Sequence, residues 1–283
     1  MRTPRLPSHA RLAVLCLALP AVAPSGLAAV RPPVHAAACP AASAAQAPAP
    51  QLPPALVPAG PDFLFGPPRL SFALRVGYHR ARTEGRIFAS AMEWLTLGPR
   101  DFDAPALSAE FGVHLAGPLE AVLGAGYAHA EAHSSLREYE REGGGPIEQT
   151  TRFTQLPLTA GVRLFLLPRG RTVGRLAWVP AAAAVYVGAG AGAVRYRFVQ
   201  AGEFVDAATH EIFADHLGAA GWALLAYAAA GGELRVGTRA AVALEARYAR
   251  GSAGLGGDFE RFERPGSLGL GGLETTAGLS WKF

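Results

Sequence analysis

Lysine, cysteine and charge are all scarce in this chain of 283 residues. Lys282 is the single lysine, and the acidic residues nearly offset the arginines, which leaves a formal net charge of +4. Because so even a balance gives no strongly basic surface, the sequence predicts no nucleic-acid partner. The two cysteines are Cys16 and Cys39. Cys16 lies in the leader described below, so the mature chain keeps one cysteine and cannot form an internal disulfide.

Long uncharged runs are also rare once the first 62 residues are set aside. The longest is residues 176–194, and a helical membrane protein is the alternative that this run suggests. However, Pro180 and the three glycines at positions 188, 190 and 192 would make a poor helix. The sequence therefore favours strands over a membrane-crossing helix.

The first 29 residues have the three parts of a secretory signal peptide. Three arginines precede or open an apolar core at residues 12–19, and small residues at 25–29 form a cleavage region. The core is too short to span a bilayer. Residues 1–29 are therefore predicted to direct export, with an uncleaved anchor as the alternative.

Residues 30–61 are a low-complexity segment dominated by alanine and proline. Such a segment has little to bury and favours extended, polyproline-like conformers, so we expect a disordered linker. Cys39 follows three alanines and faintly resembles a lipoprotein processing site. A plain unpaired cysteine is the favoured interpretation, because alanine replaces the usual leucine and the apolar core lies far upstream.

The remaining domain, residues 62–283, carries apolar residues at a spacing of two in eight segments. Most of these segments are close to the ~9–11 residues of a tilted, membrane-crossing strand. The predicted strands cover approximately 70–79, 107–115, 119–127, 155–166, 179–198, 222–236, 242–248 and 272–283. Short connections follow the second, fourth and sixth strands, whereas long ones fall at roughly 80–105, 131–151, 199–220 and 251–268. Transmembrane barrels have this asymmetry of short periplasmic turns and long extracellular loops, so the fold class is predicted to be all-β, an eight-stranded antiparallel up-and-down transmembrane β-barrel.

Aromatic residues fall near the predicted rims of the barrel. Membrane barrels place such residues in two girdles at the lipid–water interfaces. The predicted girdle at the end with the long loops consists of Tyr78, Tyr127, Tyr196, Trp222 and Tyr248. Trp281 and Phe283 lie at the opposite rim.

The inward positions of the predicted strands carry charges of both signs. An eight-stranded barrel has an interior only wide enough for side chains to fill, so charges in it must pair. The predicted lumen network consists of Arg75, Glu110, Arg163, Glu245, Arg247 and Glu274. A structural role is the favoured interpretation, and a narrow water-filled or gated path is the alternative, since the glycines of the fifth strand leave room for one.

The chain ends on a strand with a recognisable pattern. Thr276, Gly278, Trp281 and Phe283 fill the places of a polar residue, a glycine and two aromatics, and this ending resembles the C-terminal assembly signal of Gram-negative outer-membrane barrels. The run Tyr186-Val187-Gly188-Ala189-Gly190-Ala191-Gly192 looks like the Tyr-Val-Gly-x-Gly-x-Gly strand of many small barrels. Residues 69–283 thus resemble the small outer-membrane β-barrel superfamily, which includes OmpA-type N-terminal barrels, OmpX-like proteins and opacity-type adhesins.

This resemblance implies an integral outer-membrane location, with outer-membrane lipid, lipopolysaccharide and the barrel assembly machinery as partners. It further implies a role in envelope integrity or surface interaction, with a possible extracellular ligand of the loops. Neither catalysis nor a cofactor is implied. A narrow porin-like channel and a lipid-modifying enzyme are the alternatives.

Two local patterns test these alternatives. His129, Glu131 and His133 share a face at strand spacing and would be a metal site only with a further ligand, so surface histidines are favoured. The residues around Ser252 loosely resemble the His-x-Ser-Asn motif of lipid A deacylases, but Arg250 stands in the place of the histidine base and the asparagine is missing. Without a base Ser252 has no activation, so a turn serine is favoured.

The first long loop carries an unusually apolar patch. Its members are Ile87, Phe88, Met92, Trp94, Leu95 and Leu97. Such a patch would fold over the barrel mouth, contact lipopolysaccharide or bind a partner. The sequence leaves these alternatives open.

Overall fold

The computed structural model describes residues 63–141, 143–206, 209, 211–254, 256, 258–259 and 266–283. The predicted signal peptide, the predicted linker and Cys39 lie outside these residues. The strands are β1 (Leu70–Ala81), β2 (Ala104–Ala116), β3 (Leu119–Glu140), β4 (Pro146–Phe165), β5 (Gly170–Val173), β6 (Ala177–Pro180), β7 (Ala183–Val205), β8 (Ile212–Arg235), β9 (Ala240–Gly254) and β10 (Ser267–Lys282). One α-helix, α1 (Arg86–Trp94), and a 3₁₀ helix (Pro99–Phe102) lie between β1 and β2.

Eight of the strands form one closed antiparallel barrel, in the order β1-β10-β9-β8-β7-β4-β3-β2. Each strand pairs with its neighbours in sequence, apart from the β5–β6 insertion, and β10 closes the ring by pairing with β1. At this seam Arg75 lies opposite Gly278, and a Cβ added to Gly278 would stand 2.0 Å from the carbonyl oxygen of Leu74. The predicted eight-stranded up-and-down barrel is confirmed.

Two of the predicted long loops are mostly strand. Residues 131–151 belong largely to β3 and β4, and residues 199–220 belong largely to β7 and β8. The prediction was wrong because it followed the apolar alternation, which fades where the hairpins leave the apolar belt. Backbone hydrogen bonds hold the strands together whatever the side chains are, so the ladder continues beyond that point.

The connection between β4 and β7 was predicted to be short, and this prediction was also wrong. It contains the β5–β6 hairpin, to which the start of the described chain is attached, since Leu64 and Trp178 exchange two backbone hydrogen bonds of 2.8 Å. Residues 176–194, which suggested a helical alternative, lie mainly in β6 and β7. In the part of the chain that is described, no helix has the length and hydropathy needed to cross a membrane.

The end of the barrel that carries α1 and the long hairpins is called the mouth below, and the opposite end is called the base. At the mouth, α1 turns its apolar face inward and buries Phe88 and Ala91. The helix end is fixed to β3, because Arg137 Nε donates a 2.8 Å hydrogen bond to the carbonyl oxygen of Leu95. Phe88, Leu95 and Leu97 of the apolar patch are buried, so this part of the patch caps the barrel, whereas Trp94 stays half exposed.

Candidate functional site

The outer surface of the barrel is a belt of exposed apolar side chains. Val76, Leu123, Val162 and Leu244 each expose half or more of their area. A continuous belt of this kind is unfavourable in water and matches the hydrocarbon of a bilayer. The barrel is therefore of the membrane-spanning kind.

Four of the five predicted girdle residues border this belt toward the mouth. The half-exposed, outward-facing side chains are those of Tyr78, Tyr127, Trp222 and Tyr248. Toward the base, Trp281 stacks on Phe72 of β1, with ring centroids 6.2 Å apart. Aromatic rings at these two levels suit the lipid–water interfaces.

The fifth girdle residue, Tyr196, was wrongly predicted. It is 5% exposed and points into the barrel, where its hydroxyl donates a 3.2 Å hydrogen bond to the carbonyl oxygen of Gly254. Tyr196 lies an even number of residues from the buried Tyr186, so an unbroken strand places both on the inner face. The glycines between them carry no side chain that would have indicated the face from sequence.

A network of five charged side chains crosses the interior at the level of the belt. Arg75, Arg163 and Arg247 surround Glu110 and Glu245, and each carboxylate is within 4.0 Å of all three guanidinium groups. Arg163 Nη2 lies 2.6 Å from Glu110 Oε2 and 3.1 Å from Glu245 Oε2, while Arg247 Nη2 lies 2.8 Å from Glu245 Oε1. The residues belong to β1, β2, β4 and β9, so the network connects strands on different sides of the ring.

Glu274, the sixth predicted member, takes a different position. It lies beside Arg247 in the β9–β10 register, yet among the described residues it has no ion pair within 4.0 Å. The structure therefore brings five of the six predicted charges into direct contact and leaves the sixth as a neighbour.

Sequence reasoning missed the two tyrosines that complete this layer. The Tyr186 hydroxyl donates a 2.9 Å hydrogen bond to Glu245 Oε2, and the Arg163 guanidinium lies 4.0 Å from the centre of its ring. The Arg247 guanidinium lies 4.7 Å from the ring centre of Tyr227. Such contacts are favourable when both groups are desolvated. The sequence could have indicated them, because both tyrosines occupy inward-facing positions of their strands.

Further polar pairs fill the interior toward the base. Glu120 accepts a hydrogen bond from the Ser71 hydroxyl, and Lys282 Nζ lies 2.5 Å from Glu233 Oε2. All four side chains are nearly buried. These polar pairs thus share the interior between the base and the five-charge network with a small buried cluster of Phe165, Ala184 and Tyr186.

An aromatic core fills the interior toward the mouth. Phe88 of α1 is fully buried, and its ring makes edge-to-face contacts with Phe102, Phe153 and Phe198 at centroid distances of 4.8, 5.6 and 6.1 Å. A cavity of only about 30 Å³, partly lined by Arg247 and residues just above the network, lies between this core and the charges. That volume has room for about one or two water molecules. Both levels of the barrel are therefore filled by side chains.

The predicted assembly residues lie at the β1–β10 seam. Thr276 and Gly278 face inward, whereas Trp281 faces outward and Phe283 is exposed at the base rim. The backbone of Phe283 closes the sheet, since its N–H donates to the carbonyl oxygen of Leu70 and its own carbonyl oxygen accepts from Arg69 at 2.8 Å. The last residue thus contributes both an exposed ring and the final hydrogen bonds of the barrel.

The histidine pattern on β3 has other partners. His129 and His133 hydrogen bond to Thr154 and Thr150 at 2.8 and 3.0 Å, and Glu131 pairs with Arg152 at 3.0 Å. The hydrogen bond from Arg152 holds the pKa of Glu131 below its ordinary value. Among the residues that the structure describes, no cluster of histidine, cysteine or carboxylate is arranged to hold a metal ion.

Ser252 lies on β9 in a shallow surface depression. Its surroundings in that depression include Arg82, Glu84, Arg250 and Ser267, and no histidine is present among the described residues that line it. A serine needs an adjacent base to act as a nucleophile. The only carboxylate among the described residues of the depression is Glu84, and it is paired with Arg82.

Comparison with known proteins gives distant likenesses to solved structures. No protein-family model matches the chain, and no curated protein matches its sequence. Neisserial surface protein A (NspA) is 10% identical with a TM-score of 0.41, over 79% of this chain and 98% of that one. The outer membrane protein OprG from Pseudomonas aeruginosa is 12% identical with a TM-score of 0.41, over 78% and 99%. The outer membrane protease OmpT from Escherichia coli is 11% identical with a TM-score of 0.38, over 80% and 99%.

OprG and OmpT are described as outer-membrane proteins, and NspA as a surface protein. Their likeness to this chain is too distant for any activity to be transferred. The assignments below depend instead on the residues of the chain itself.

Proposed function

We propose that this chain is a non-enzymatic, non-conducting integral protein of the Gram-negative outer membrane, which supports envelope structure or surface interaction through its mouth. The observation that carries the proposal is the filled interior, in which a five-charge network and an aromatic core occupy successive levels. A chain of desolvated, mutually paired charges is a poor path for ions, because passage would require breaking several pairs. The mouth, with its long hairpins and helix, is then the part that is available to bind other molecules.

The outer-membrane location is supported by three features of the chain. The predicted leader provides export, the apolar belt suits a bilayer, and the C-terminal strand resembles the signal read by the barrel assembly machinery. Outer-membrane lipid and lipopolysaccharide would contact the belt and the girdle of Tyr78, Tyr127, Trp222 and Tyr248. These partners are part of the proposal.

Single-channel recording tests the absence of conduction. The protein without its leader is refolded into a planar bilayer, and its folded state is checked by a heat-modifiable shift on a gel. We expect a folded barrel with no steady openings. Steady openings of a uniform size would instead establish the narrow porin-like alternative and make the lumen charges part of a conduction path.

Replacement of Ser252 tests the absence of catalysis. The described surroundings of Ser252 include no histidine, and their one carboxylate, Glu84, is paired with Arg82, so Ser252→Ala is expected to leave the lipid composition of the outer membrane unchanged. The matched control is Ser267→Ala, which alters a neighbouring serine of the same depression. A change in lipid composition that is specific to Ser252→Ala would establish the enzyme alternative.

A further inference from the structure

A cleft of about 430 Å³ opens at the mouth, between α1 and the ends of the long hairpins. One wall is a face of α1 that carries Arg86, Ser90 and Trp94, which are spaced four residues apart and so lie above one another. Phe204 of β7 and Leu217 of β8 belong to the opposite side. The volume is within the range of small-molecule sites.

The lining of this cleft is apolar except at a few places. Aromatic and aliphatic side chains predominate, and Gln200 contributes a nearly buried amide side chain. Arg86 is the only charged residue among the described residues that line it. A ligand that fills the cleft would therefore bury an apolar body and meet one positive charge.

The position of Arg86 concentrates positive potential at one end of the cleft. Arg86 is the first residue of α1 and so lies at the positive end of the helix dipole. Among the described residues Arg86 has no ion pair. Arg141, another arginine near the mouth, is paired instead with Glu203 at 2.7 Å. The cleft thus has one unneutralised cation and no anion on its described lining.

We propose that this cleft binds a free medium-chain carboxylate, with the carboxylate at Arg86 and the alkyl chain between Trp94 and the hairpin residues Phe204 and Leu217. An apolar slot with a single guanidinium fits an amphiphile with one anionic head, because the chain gains by leaving water and the head gains a charge-assisted hydrogen bond. The proposal deepens the surface-interaction role of the mouth and rests on it.

Tryptophan NMR provides a site-resolved test. The chain has four tryptophans, so ¹⁵N-labelled indoles of the leader-free protein in lipid nanodiscs give four signals, and Trp94→Phe assigns the one in the cleft. Titration with sodium octanoate is expected to shift the Trp94 signal saturably. The signals of Trp178, Trp222 and Trp281, which lie away from the cleft, are expected to stay in place.

Two variants separate the head group from the chain. Arg86→Gln is expected to weaken octanoate binding about tenfold or more, as the loss of a charge-assisted hydrogen bond implies, and to leave 1-octanol binding unchanged. Ser90→Trp fills the cleft and should abolish the shift for both compounds. Arg100→Gln, an exposed arginine outside the cleft lining, is the matched control and should bind octanoate like the parent chain.

The proposal is overturned if octanoate causes no saturable shift of Trp94, or if Arg86→Gln binds octanoate as tightly as the parent chain. Equal affinities for octanoate and 1-octanol in the parent would likewise show a neutral apolar site and reject the anion. Each sample is checked for heat-modifiable folding and for bilayer conductance. A folded, silent barrel without octanoate binding would refute this inference and leave the proposed function standing.

Discussion

The interior of the barrel is filled in two different ways, by paired charges in the half toward the base and by aromatic rings in the half toward the mouth. Below, Glu110 and Glu245 each contact three arginines, so every member depends on the others. Above, Phe88 packs edge to face on three other rings, and each contact is separate. Both halves exclude water from the interior, but they differ in how well they tolerate substitutions.

This difference indicates which half of a narrow barrel depends on the identity of each residue. A buried charge that loses its partner has no water to replace it, so the lower half is sensitive to the identity of each residue. An apolar core chiefly requires volume and can relax partly around a smaller side chain. We therefore expect the lower half to fix the registration of the strands and the upper half to fix the position of α1.

Deletion of Phe283 is expected to have the largest effect, because it acts on both halves at once. Without this residue the backbone hydrogen bonds to Leu70 and Arg69 at the β1–β10 seam are lost, and the C-terminal assembly pattern is incomplete. The variant should fail to accumulate as a folded, membrane-embedded form, as measured by heat-modifiability in isolated outer membranes. Phe63→Ala is the control, because Phe63 is an aromatic residue near the base that lies outside the barrel strands. Normal accumulation without Phe283 would contradict the assembly role.

Glu110→Gln tests the charged half. The change leaves Arg75, Arg163 and Arg247 sharing one carboxylate, so it should lower the free energy of unfolding by about 3–5 kcal/mol. Denaturant unfolding of the refolded barrel measures this, and Glu93→Gln on the exposed side of α1 serves as the control. A loss under about 1 kcal/mol, the usual scale of an exposed pair, would mean that the charges are solvated and that the lower half is open to water.

Phe88→Ala tests the aromatic half. The ring is fully buried, and large-to-small changes of this kind cost about 3 kcal/mol or somewhat more. We expect a loss close to about 3 kcal/mol, because α1 belongs to a connection and can shift into the space that the ring leaves. Hydrogen exchange should locate the loss in α1 and the upper parts of β4 and β7, with the lower strands protected. Uniform loss of protection would show that the two halves are one cooperative unit.

Tyr186→Phe is a smaller test of the lower half. It removes the hydroxyl that donates to Glu245 and keeps the ring beside Arg163. The carboxylate retains its arginines, so we expect a loss of about 1–2 kcal/mol in the free energy of unfolding. Tyr78→Phe, at an exposed girdle position, is the control. If both variants unfold alike, the hydroxyl of Tyr186 contributes nothing to the network.

Much of the lower half and little of the upper half could be predicted from sequence. Alternation of apolar and polar residues identified Arg75, Glu110 and Arg163 as inward, because the strand period fixes the face once one residue is placed. It did not identify which charges touch, since that depends on how far each strand is shifted against the next. Glu274 shows this, because it is inward like the others and yet outside the contact network.

The upper half combines residues from parts of the chain that no local pattern connects. Phe88 comes from a helix between two strands, Phe153 lies just before the predicted fourth strand, and Phe198 is the last residue of the predicted fifth strand. Tyr196 was placed on the wrong face because a run of glycines separates it from Tyr186. The apolar patch around Phe88 was visible, but only the closed barrel shows that it fills the mouth.

Glu131→Gln is expected to have the smallest effect, because this carboxylate lies on the outer surface and belongs to neither half. Its hydrogen bond from Arg152 lowers the pKa of the carboxyl group below its ordinary value of 4.5. Because the pKa is lowered in the folded state, the ionised carboxylate stabilises that state at pH values above the ordinary pKa. This contribution is lost as the pH falls through the folded-state pKa. Exposed pairs contribute little and are screened by salt, so the parent and Glu131→Gln should unfold at nearly the same denaturant concentration at pH 7. A clear difference at pH 7 that persists in high salt would contradict this expectation and would extend the dependence on paired charges from the lumen to the outer surface.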